Sequence, residues 1–237
     1  EDELYLGGPD KKFTKADDWI THPSTLTVGG AAADYDGDGD IDIFLAVTQG
    51  KDILLRNEGT YFEDVSFQAN IMPVPSDSTC VSWIDFDFDG DLDFWIANRS
   101  GPQVRFLRND FRKPESGFIA FYLRGTSSNK DAIGSRVTIT MDDGRIRSET
   151  LRAGEGYLSQ SSKWLHFGTG TDAKVSAVKI RWPNGKEQAL SNLETGQRYL
   201  VTEGKEGAQP WKTPQFKALA ESPLNEPPLD DTTRIVL

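Results

Sequence analysis

Two short stretches of this sequence carry aspartate at every second position, and that spacing suits a metal ion. The first is Asp34-Tyr35-Asp36-Gly37-Asp38-Gly39-Asp40-Ile41-Asp42, and the second, 51 residues further on, is Asp85-Phe86-Asp87-Phe88-Asp89-Gly90-Asp91-Leu92-Asp93. They are termed loop 1 and loop 2. Alternate side chains of a tightly curled loop can point inward, and glycine at position 6 (Gly39 or Gly90) permits the sharp turn. This chemistry is typical of a hard divalent cation.

The candidate ligands are ten aspartates: Asp34, Asp36, Asp38, Asp40 and Asp42 in loop 1, and Asp85, Asp87, Asp89, Asp91 and Asp93 in loop 2. Position 7 of such loops usually supplies its backbone carbonyl, so Asp40 and Asp91 need not use their carboxylates. Five carboxylates within nine residues repel one another unless a cation neutralises them. We therefore predict one structural Ca²⁺ in each loop, two in all. The alternative is a solvated acidic loop, which the repetition of the same frame disfavours.

The two loops differ from EF-hands. An EF-hand needs a bidentate Glu at loop position 12, where this chain has Leu45 and Ile96. It also needs flanking helices, whereas residues 41–47 and 92–97 are short, apolar and rich in strand-forming residues. We therefore predict calcium loops that open β-strands.

Length and charge exclude several classes of protein. The chain of 237 residues is long enough for one large or two modest domains, and its net charge is −11. The two loops hold ten of the acidic residues, so the rest of the chain has a net charge of −1. Without a basic patch we expect no nucleic-acid binding, and without a run of about 18 apolar residues we expect no membrane span.

The ends of the chain and its cysteine bear on the compartment. Cys80 is the only cysteine and lies in an apolar run, so we predict a buried, inert thiol. The sequence begins at Glu1 without a signal-type segment. We expect either that a targeting peptide has been removed or that the chain is a piece of a longer one.

The loops belong to a repeat of about 50 residues. Arg56-Asn57 and Arg108-Asn109 lie 52 residues apart, each after an apolar segment, and residues 3–8 parallel that apolar segment. A period in this range is typical of propeller blades. We predict the end of a preceding blade at residues 1–20 and two calcium-loop repeats at residues 21–112.

Residues 113–203 have a different pattern, with many strands and no helical periodicity. Strands are predicted at residues 118–124, 136–141, 145–151, 164–167, 175–182 and 198–202. Residues 178–182 alternate apolar and basic side chains, and residues 142–144 and 183–185 have turn compositions. The five prolines of residues 204–237 predict a linker or tail. The predicted fold class is all-β: a partial β-propeller of two blades and a fraction, followed by an antiparallel β-sandwich or barrel-like domain.

Both regions resemble known families. The aspartate loops together with residues 54–66 (LLRNEGTYFEDVS) resemble FG-GAP or VCBS-type repeats, which build calcium-bearing propeller blades. The second region resembles the ASPIC/UnbV domain through residues 129–137, 153–161, 165–170 and 180–186, in the order of that family. The cartilage acidic protein-like family has the same arrangement. The resemblance implies a secreted, calcium-dependent, non-enzymatic module.

The residues themselves also argue against an enzyme. The two histidines, His22 and His166, lie before a proline and in a strand, and structural roles are predicted for both. The glycine-rich residues 154–157 lack the spacing of a phosphate loop. Five carboxylates in one loop fit metal ligation better than the acid and base pair of a glycosidase. We predict no enzymatic activity.

Aromatic and basic side chains leave two further interpretations open. Core packing is predicted for the tryptophans in strand-like runs, with stacking on sugars as the alternative; they are Trp83, Trp95, Trp164 and Trp182. A solvated basic face is predicted for the arginines of the second region, with a sulfated glycan or a neighbouring blade as the alternative; they are Arg124, Arg136, Arg145, Arg147, Arg152 and Arg181.

The predicted function is a non-catalytic, calcium-binding module for adhesion, assembly or protein–protein interaction. The alternatives are an accessory or docking region of a larger exported enzyme and a carbohydrate-binding module. We expect an extracellular, cell-surface or periplasmic location, because extracellular modules bind Ca²⁺ at about 10⁻⁴–10⁻³ M. A protein partner or further blades of the same protein are the expected partners, because two blades and a fraction cannot close a propeller. Otherwise the chain should self-associate or pack residues 113–203 against the repeats.

Overall fold

The computed structural model describes residues 2–8, 10–20, 26–71, 77–101, 103–110, 116–171 and 174–212. Within these ranges the secondary structure is entirely β, which confirms the predicted class. The strands are β1 (Tyr5–Gly7), β2 (Phe13–Lys15), β3 (Thr27–Ala33), β4 (Asp42–Val47), β5 (Ile53–Asn57), β6 (Phe62–Asp64), β7 (Ser78–Ile84), β8 (Asp93–Asn98), β9 (Val104–Leu107), β10 (Ser116–Arg124), β11 (Arg136–Met141), β12 (Ile146–Thr150), β13 (Trp164–Thr171), β14 (Val175–Arg181), β15 (Glu187–Leu190), β16 (Gln197–Thr202) and β17 (Gln209–Pro210). In the same ranges no helix is long and apolar enough to cross a membrane.

Two antiparallel meanders form the propeller-like part. Blade 1 is the sheet β3-β4-β5-β6, and blade 2 is the three-stranded sheet β7-β8-β9. Loop 1 connects β3 to β4, and loop 2 connects β7 to β8, so that Asp42 and Asp93 each begin a strand. The prediction that the loops open strands is confirmed.

The two blades pack face to face around one apolar cluster. The ring centroids of Phe44 in blade 1 and Phe94 in blade 2 lie 5.2 Å apart, and Trp83 lies 4.3 Å from Phe94. The opposite face of blade 1 is covered by the N-terminal segment, where the Phe62 amide donates to the Trp19 carbonyl at 2.7 Å. Blade 1 is therefore covered on both faces, by blade 2 on one and by the N-terminal segment on the other.

The second region is a sandwich of two four-stranded sheets, β13-β10-β16-β17 and β12-β11-β14-β15. Their inner faces share one core that includes Phe121, Ile139, Ile180 and Trp182. All six strands expected here are present, and β15 is an additional one. The sheet pairs are antiparallel except for β10 and β16, which run parallel.

The sandwich extends into the segment predicted to be a linker. Residues Gln209–Pro210 form β17, which pairs with β16 at the edge of its sheet. An edge position suits Pro210, because proline has no N–H to donate to a further strand. The ring of Trp211 lies 5.3 Å from that of Trp164. The remainder of the predicted tail, residues 213–237, lies outside the described residues.

The sandwich packs directly on the loop-bearing side of the two blades. The amide of Gly170 donates to the carbonyl of Gly37 at 3.0 Å, and the amide of Ser162 donates to the carbonyl of Trp83 at 3.0 Å. Of the two arrangements expected for a chain with an open propeller, packing of residues 113–203 against the repeats is therefore present. The aspartate loops lie at this interface.

Candidate metal centres

Loop 1 gathers three buried carboxylates around one point. Asp34, Asp36 and Asp42 each offer an oxygen, and these oxygens all lie within 4.8 Å of one another. Asp42 is held by two backbone amides, from Tyr35 at 3.0 Å and from Asn57 at 2.8 Å. The loop can curl this tightly because its glycines adopt positive φ, +97° at position 6.

Loop 2 repeats this arrangement with the equivalent residues. Asp85, Asp87 and Asp93 offer oxygens within the same 4.8 Å. Asp93 accepts the amides of Phe86 at 2.9 Å and of Asn109 at 2.8 Å. Sequence reasoning did not assign Asn57 and Asn109 to the loops, although the repeated Arg-Asn pair was the signal for them.

The other four predicted ligands lie outside the two clusters. Asp38 accepts the amide of Asp40 at 2.9 Å, and Asp89 accepts the amide of Asp91 at 3.2 Å, so these carboxylates brace the turn. Asp40 is exposed, whereas Asp91 is only 8% exposed. Neither carboxylate oxygen of Asp91 has a hydrogen-bond partner among the described residues.

Burial makes the charged form of these carboxylates costly. In loop 1 it raises the pKa of Asp34 to about 7 and that of Asp42 to about 8, and repulsion from Asp36 adds to both shifts. In loop 2 burial raises the pKa of Asp91 to about 9 and that of Asp93 to about 6. A bound cation would offset both the desolvation and the mutual repulsion.

The donor set fits a hard cation. All the gathered atoms are carboxylate oxygens, which are the ligands of hard cations. Oδ1 of Asp34 and Oδ1 of Asp85 are buried and lack a hydrogen-bond partner within the described part of the chain. A buried oxygen without a partner is costly, and a cation at the centre of each cluster would satisfy it.

The sandwich domain supplies an arginine to each loop. Arg198 forms an ion pair with Oδ2 of Asp85, and both side chains are buried. Nη2 of Arg147 donates to the backbone carbonyl of Asp38 at 3.2 Å, and its Nη1 donates to Gly168 O. A solvated face was predicted for Arg147, with a neighbouring blade as the alternative, and its contact with loop 1 of blade 1 shows the alternative. Arg198 was not predicted at all.

His166, one of the two histidines considered for catalysis, is buried and packed. Nε2 of His166 is 3.0 Å from the carbonyl of Gly90, its ring stacks on Phe118, and burial lowers its pKa to about 4. His22 lies outside the described residues. Cys80 is half-buried and not fully buried as predicted, because it lies on the side of β7 that faces away from the inter-blade cluster.

A small cavity of about 60 Å³ lies between the blades and the sandwich. Its lining includes Asp34, Trp83, Glu149 and His166. Burial raises the pKa of Glu149 to about 7. Nε1 of Trp83 and Nδ1 of His166 are buried and have no hydrogen-bond partner among the described residues. A polar cavity of this size suits ordered water.

The tryptophans divide between core and surface. Trp83 and Trp182 are buried, as predicted. Trp95, also predicted to pack in the core, is 44% exposed, and its ring lies 5.1 Å from Phe106. Phe106 in turn lies 4.3 Å from Phe86. Trp95 and Phe106 project from the face of blade 2 opposite to blade 1; together with Phe86 and Val104 they are termed the outer face.

Comparison with known proteins follows the same division of the chain. Residues 34–96 match the family model described as FG-GAP-like repeat, and residues 125–208 match the one described as ASPIC and UnbV. Cartilage acidic protein 1 of Homo sapiens is 30% identical over 122 residues, which is 50% of this chain and 18% of that protein. Cartilage acidic protein 1 of Mus musculus is 25% identical over 166 residues, 65% of this chain and 25% of that protein. The chain thus spans a quarter or less of these relatives.

Proposed function

Because the chain carries an FG-GAP-like repeat followed by an ASPIC and UnbV domain, we propose that it is a non-catalytic, calcium-dependent protein-interaction module that works outside the cytoplasm. One observation carries the calcium assignment. Two equivalent clusters of three carboxylates occur in the two blades, and each contains a buried oxygen without a hydrogen-bond partner among the described residues.

Each loop would hold one Ca²⁺ with its own residues. The ligands are Asp34, Asp36 and Asp42 in loop 1 and their equivalents, Asp85, Asp87 and Asp93, in loop 2. Asp38 and Asp89 complete the proposed carboxylate sets, and the backbone carbonyls of Asp40 and Asp91 are the usual donors at position 7. The cation would reduce the repulsion among the carboxylates of each loop and fix the strand that begins with its last aspartate.

Titration calorimetry and thermal unfolding test this assignment directly. We expect two Ca²⁺ per chain, a higher melting temperature in calcium than in EDTA, and poor replacement by Mg²⁺, which prefers smaller and more rigid sites. A melting temperature indifferent to EDTA and calcium, together with no heat of binding, would contradict it.

The proposed location follows from the expected affinity. Extracellular calcium modules have dissociation constants of about 10⁻⁴–10⁻³ M, which external calcium fills and resting cytosolic calcium does not. Fractionation of the native source should recover the protein outside the cytoplasm. Recovery in the cytosol would contradict this part of the proposal.

The outer face supports an interaction role, because it repeats a surface that is already used. In blade 1, Phe44 and Leu54 lie in the cluster that packs on blade 2. Their equivalents after one repeat are Trp95 and Phe106, which lie on the outer face. We propose that this face takes another blade of the same repeat type, from the same protein or from a partner.

Light scattering tests the outer face. Without such a blade, we expect two copies to bury these aromatic side chains against each other at micromolar concentration. Trp95→Ser should abolish this association, whereas Phe67→Ser, which removes an aromatic ring that is 94% exposed elsewhere on blade 1, should preserve it. A wild-type chain that stays monomeric would contradict the proposal.

Two other functions remain as proposals of their own. A carbohydrate would use the same exposed aromatic rings, and a glycan array that finds ligands sensitive to Trp95→Ser would favour it. A docking region of a larger exported enzyme is compatible with the short span that the chain shares with its relatives. An activity that the wild-type chain itself displays would contradict the non-catalytic assignment.

A further inference from the structure

We propose that the sandwich domain completes both cation sites, with Arg198 positioning loop 2 and Arg147 positioning loop 1. Cation binding and docking of the sandwich would then stabilise each other. The inference rests on the proposed function, because it requires that the loops bind a cation.

At loop 2 the two oxygens of one carboxylate have different surroundings. Oδ2 of Asp85 is held by Arg198, whereas Oδ1 is buried without a hydrogen-bond partner in the described part of the chain. The guanidinium of Arg198 is itself fixed, with its central carbon 4.8 Å from the ring centroid of Phe118 and 5.4 Å from that of Phe88. Arg198 therefore fixes the carboxylate and leaves its second oxygen for a cation.

At loop 1 the arginine holds the backbone. Arg147 bridges the carbonyl of Asp38 in the loop and that of Gly168 in the sandwich. A β-carbon on Gly39 would overlap the Arg147 guanidinium, so the contact depends on glycine at position 6. The arginine thus links the curl of the loop to the position of strand β13.

Steric contacts make the coupling tight. A β-carbon on Gly168 would overlap Oδ2 of Asp34, and one on Gly90 would overlap the ring of Phe118. The backbone hydrogen bond from Gly170 to Gly37, at 3.0 Å, lies in the same interface between the loops and the sandwich, which is termed the seam. Because the loops and the sandwich are in direct contact at both sites, a change in loop conformation must disturb the docking of the sandwich.

Whether removal of an arginine weakens or strengthens calcium binding depends on two opposing effects. A guanidinium repels a nearby cation, but each loop carries five carboxylates, so the site stays negative with the arginine present. Residues that orient metal ligands typically change metal affinity by 10–100-fold when they are removed. We therefore expect the loss of orientation to exceed the relief of repulsion. The coupling is reciprocal: calcium should strengthen the docking of the sandwich by the same factor by which docking strengthens calcium binding.

The test uses the full chain and calcium itself as the probe. In titration calorimetry, Arg198→Met should weaken one of the two calcium-binding steps about 10-fold or more and leave the other unchanged. Arg147→Met should weaken the other step. Arg181→Met removes the same charge from an exposed position on β14 of the sandwich and should leave both steps unchanged. Arg198→Lys keeps the charge but not the planar, stacked group and should recover only part of the affinity.

A second measurement separates positioning from simple stabilisation. If Arg198 only stabilised the fold, Arg198→Met would lower the melting temperature equally in EDTA and in calcium. If it positions the ligand, the shift that calcium produces should shrink. Hydrogen exchange of the wild-type chain gives a readout that needs no variant, since calcium should slow exchange at Ser162 and Gly170, whose amides donate across the seam.

The outcomes are distinct. A wild-type chain without calcium binding would contradict the proposed function and this inference together. Two calcium sites with unchanged or stronger affinity in Arg198→Met, or seam exchange indifferent to calcium, would contradict the inference and leave the proposed function intact.

Discussion

Loops 1 and 2 share one ligand frame but differ at the positions between the ligands. Position 4 is Gly37 in loop 1 and Phe88 in loop 2, and both residues adopt positive φ, +72° and +63°. A bulky residue in this region is strained, so Phe88 must be held by its surroundings. Its ring lies 5.0 Å from Trp211 and beside Arg198. At position 4, loop 1 relies on glycine, whereas in loop 2 contacts with the sandwich domain support Phe88.

The two loops also differ in how deeply the residue at position 7 is buried. Asp40 is exposed, whereas Asp91 is buried with two oxygens that lack a partner among the described residues. The carbonyl of Gly90 also meets His166 of the sandwich. Regular spacing therefore sets which carboxylates converge, whereas the burial of the carboxylate at position 7 differs between the two loops.

Substitution of the position-6 glycines should give the largest effect. Both have positive φ, which costs about 1–2 kcal/mol for alanine, and overlap with a neighbour adds about 1–3 kcal/mol. Gly90→Ala should destabilise more than Gly39→Ala, because Phe118 is packed whereas the Arg147 side chain can move aside. Gly185→Ala is the control, with φ of +84° and open space around it. Denaturant unfolding measures the loss of unfolding free energy in each variant. Equal losses in all three variants would contradict the close contacts at Gly39 and Gly90.

Removing one ligand from either loop should lower the free energy of unfolding by about the amount that the bound cation contributes to it. Asp36→Asn and Asp87→Asn keep an acceptor for the amide two residues on, so they should change stability little in EDTA. In calcium at about 100 times the dissociation constant, each should lose roughly 2.7 kcal/mol of stability. Equal losses with and without calcium would indicate a purely structural role for these carboxylates.

The pH dependence of stability should distinguish the loops. The pKa of Asp42 rises on folding from 3.8 to about 8, and that of Asp91 to about 9. The cation-free native chain therefore binds more protons than the unfolded chain between these values, so its stability should fall as pH rises from about 4 to 9. Asp91→Asn should remove the contribution of Asp91 to the fall, including the part between pH 8 and 9, and leave that due to loop 1. In saturating calcium the part of the fall due to Asp42 should disappear, because calcium binds the ionised carboxylate of that ligand.

The smallest effect is expected where loop 2 is made to resemble loop 1. Phe88→Gly relieves about 1 kcal/mol of backbone strain and loses a ring contact of about 0.5–1.5 kcal/mol. The net change in unfolding free energy should stay within about 1 kcal/mol, whereas the fluorescence of Trp211 should change. A large destabilisation would mean that the ring of Phe88 contributes more than its contact with Trp211 and Arg198.

The sequence was sufficient for features that local pattern determines. The repeated aspartate frame predicted both loops, and β-forming runs predicted the strands they open. The repeated Asn57 and Asn109 were visible as a pattern but not as partners of Asp42 and Asp93, because nothing local indicates where an asparagine amide points. Trp95 was assigned to a core because aromatic residues in strands are usually buried.

Features that depend on how the domains meet were not predictable. Arg198 and Asp85 are 113 residues apart, and Arg147 and Asp38 are 109 apart. Neither pairing follows from periodicity, since both require the position of the sandwich relative to the loops. The strand at Gln209–Pro210 was missed for a related reason, because proline indicates an edge or a linker equally well.

The two ends of the blade stack limit what the chain can assemble into. Head-to-tail stacking would place the Trp95 side of one copy on the Ile43 side of another, and such heterologous contacts continue into open filaments. The Ile43 side is already covered by Leu4, Trp19 and Ile20 of the N-terminal segment. Two copies meeting through their Trp95 sides would instead form a closed twofold pair, with no matching surface left for a third. Because the N-terminal segment occupies the Ile43 side, we expect the self-association proposed above to end at a dimer and not to continue into a filament.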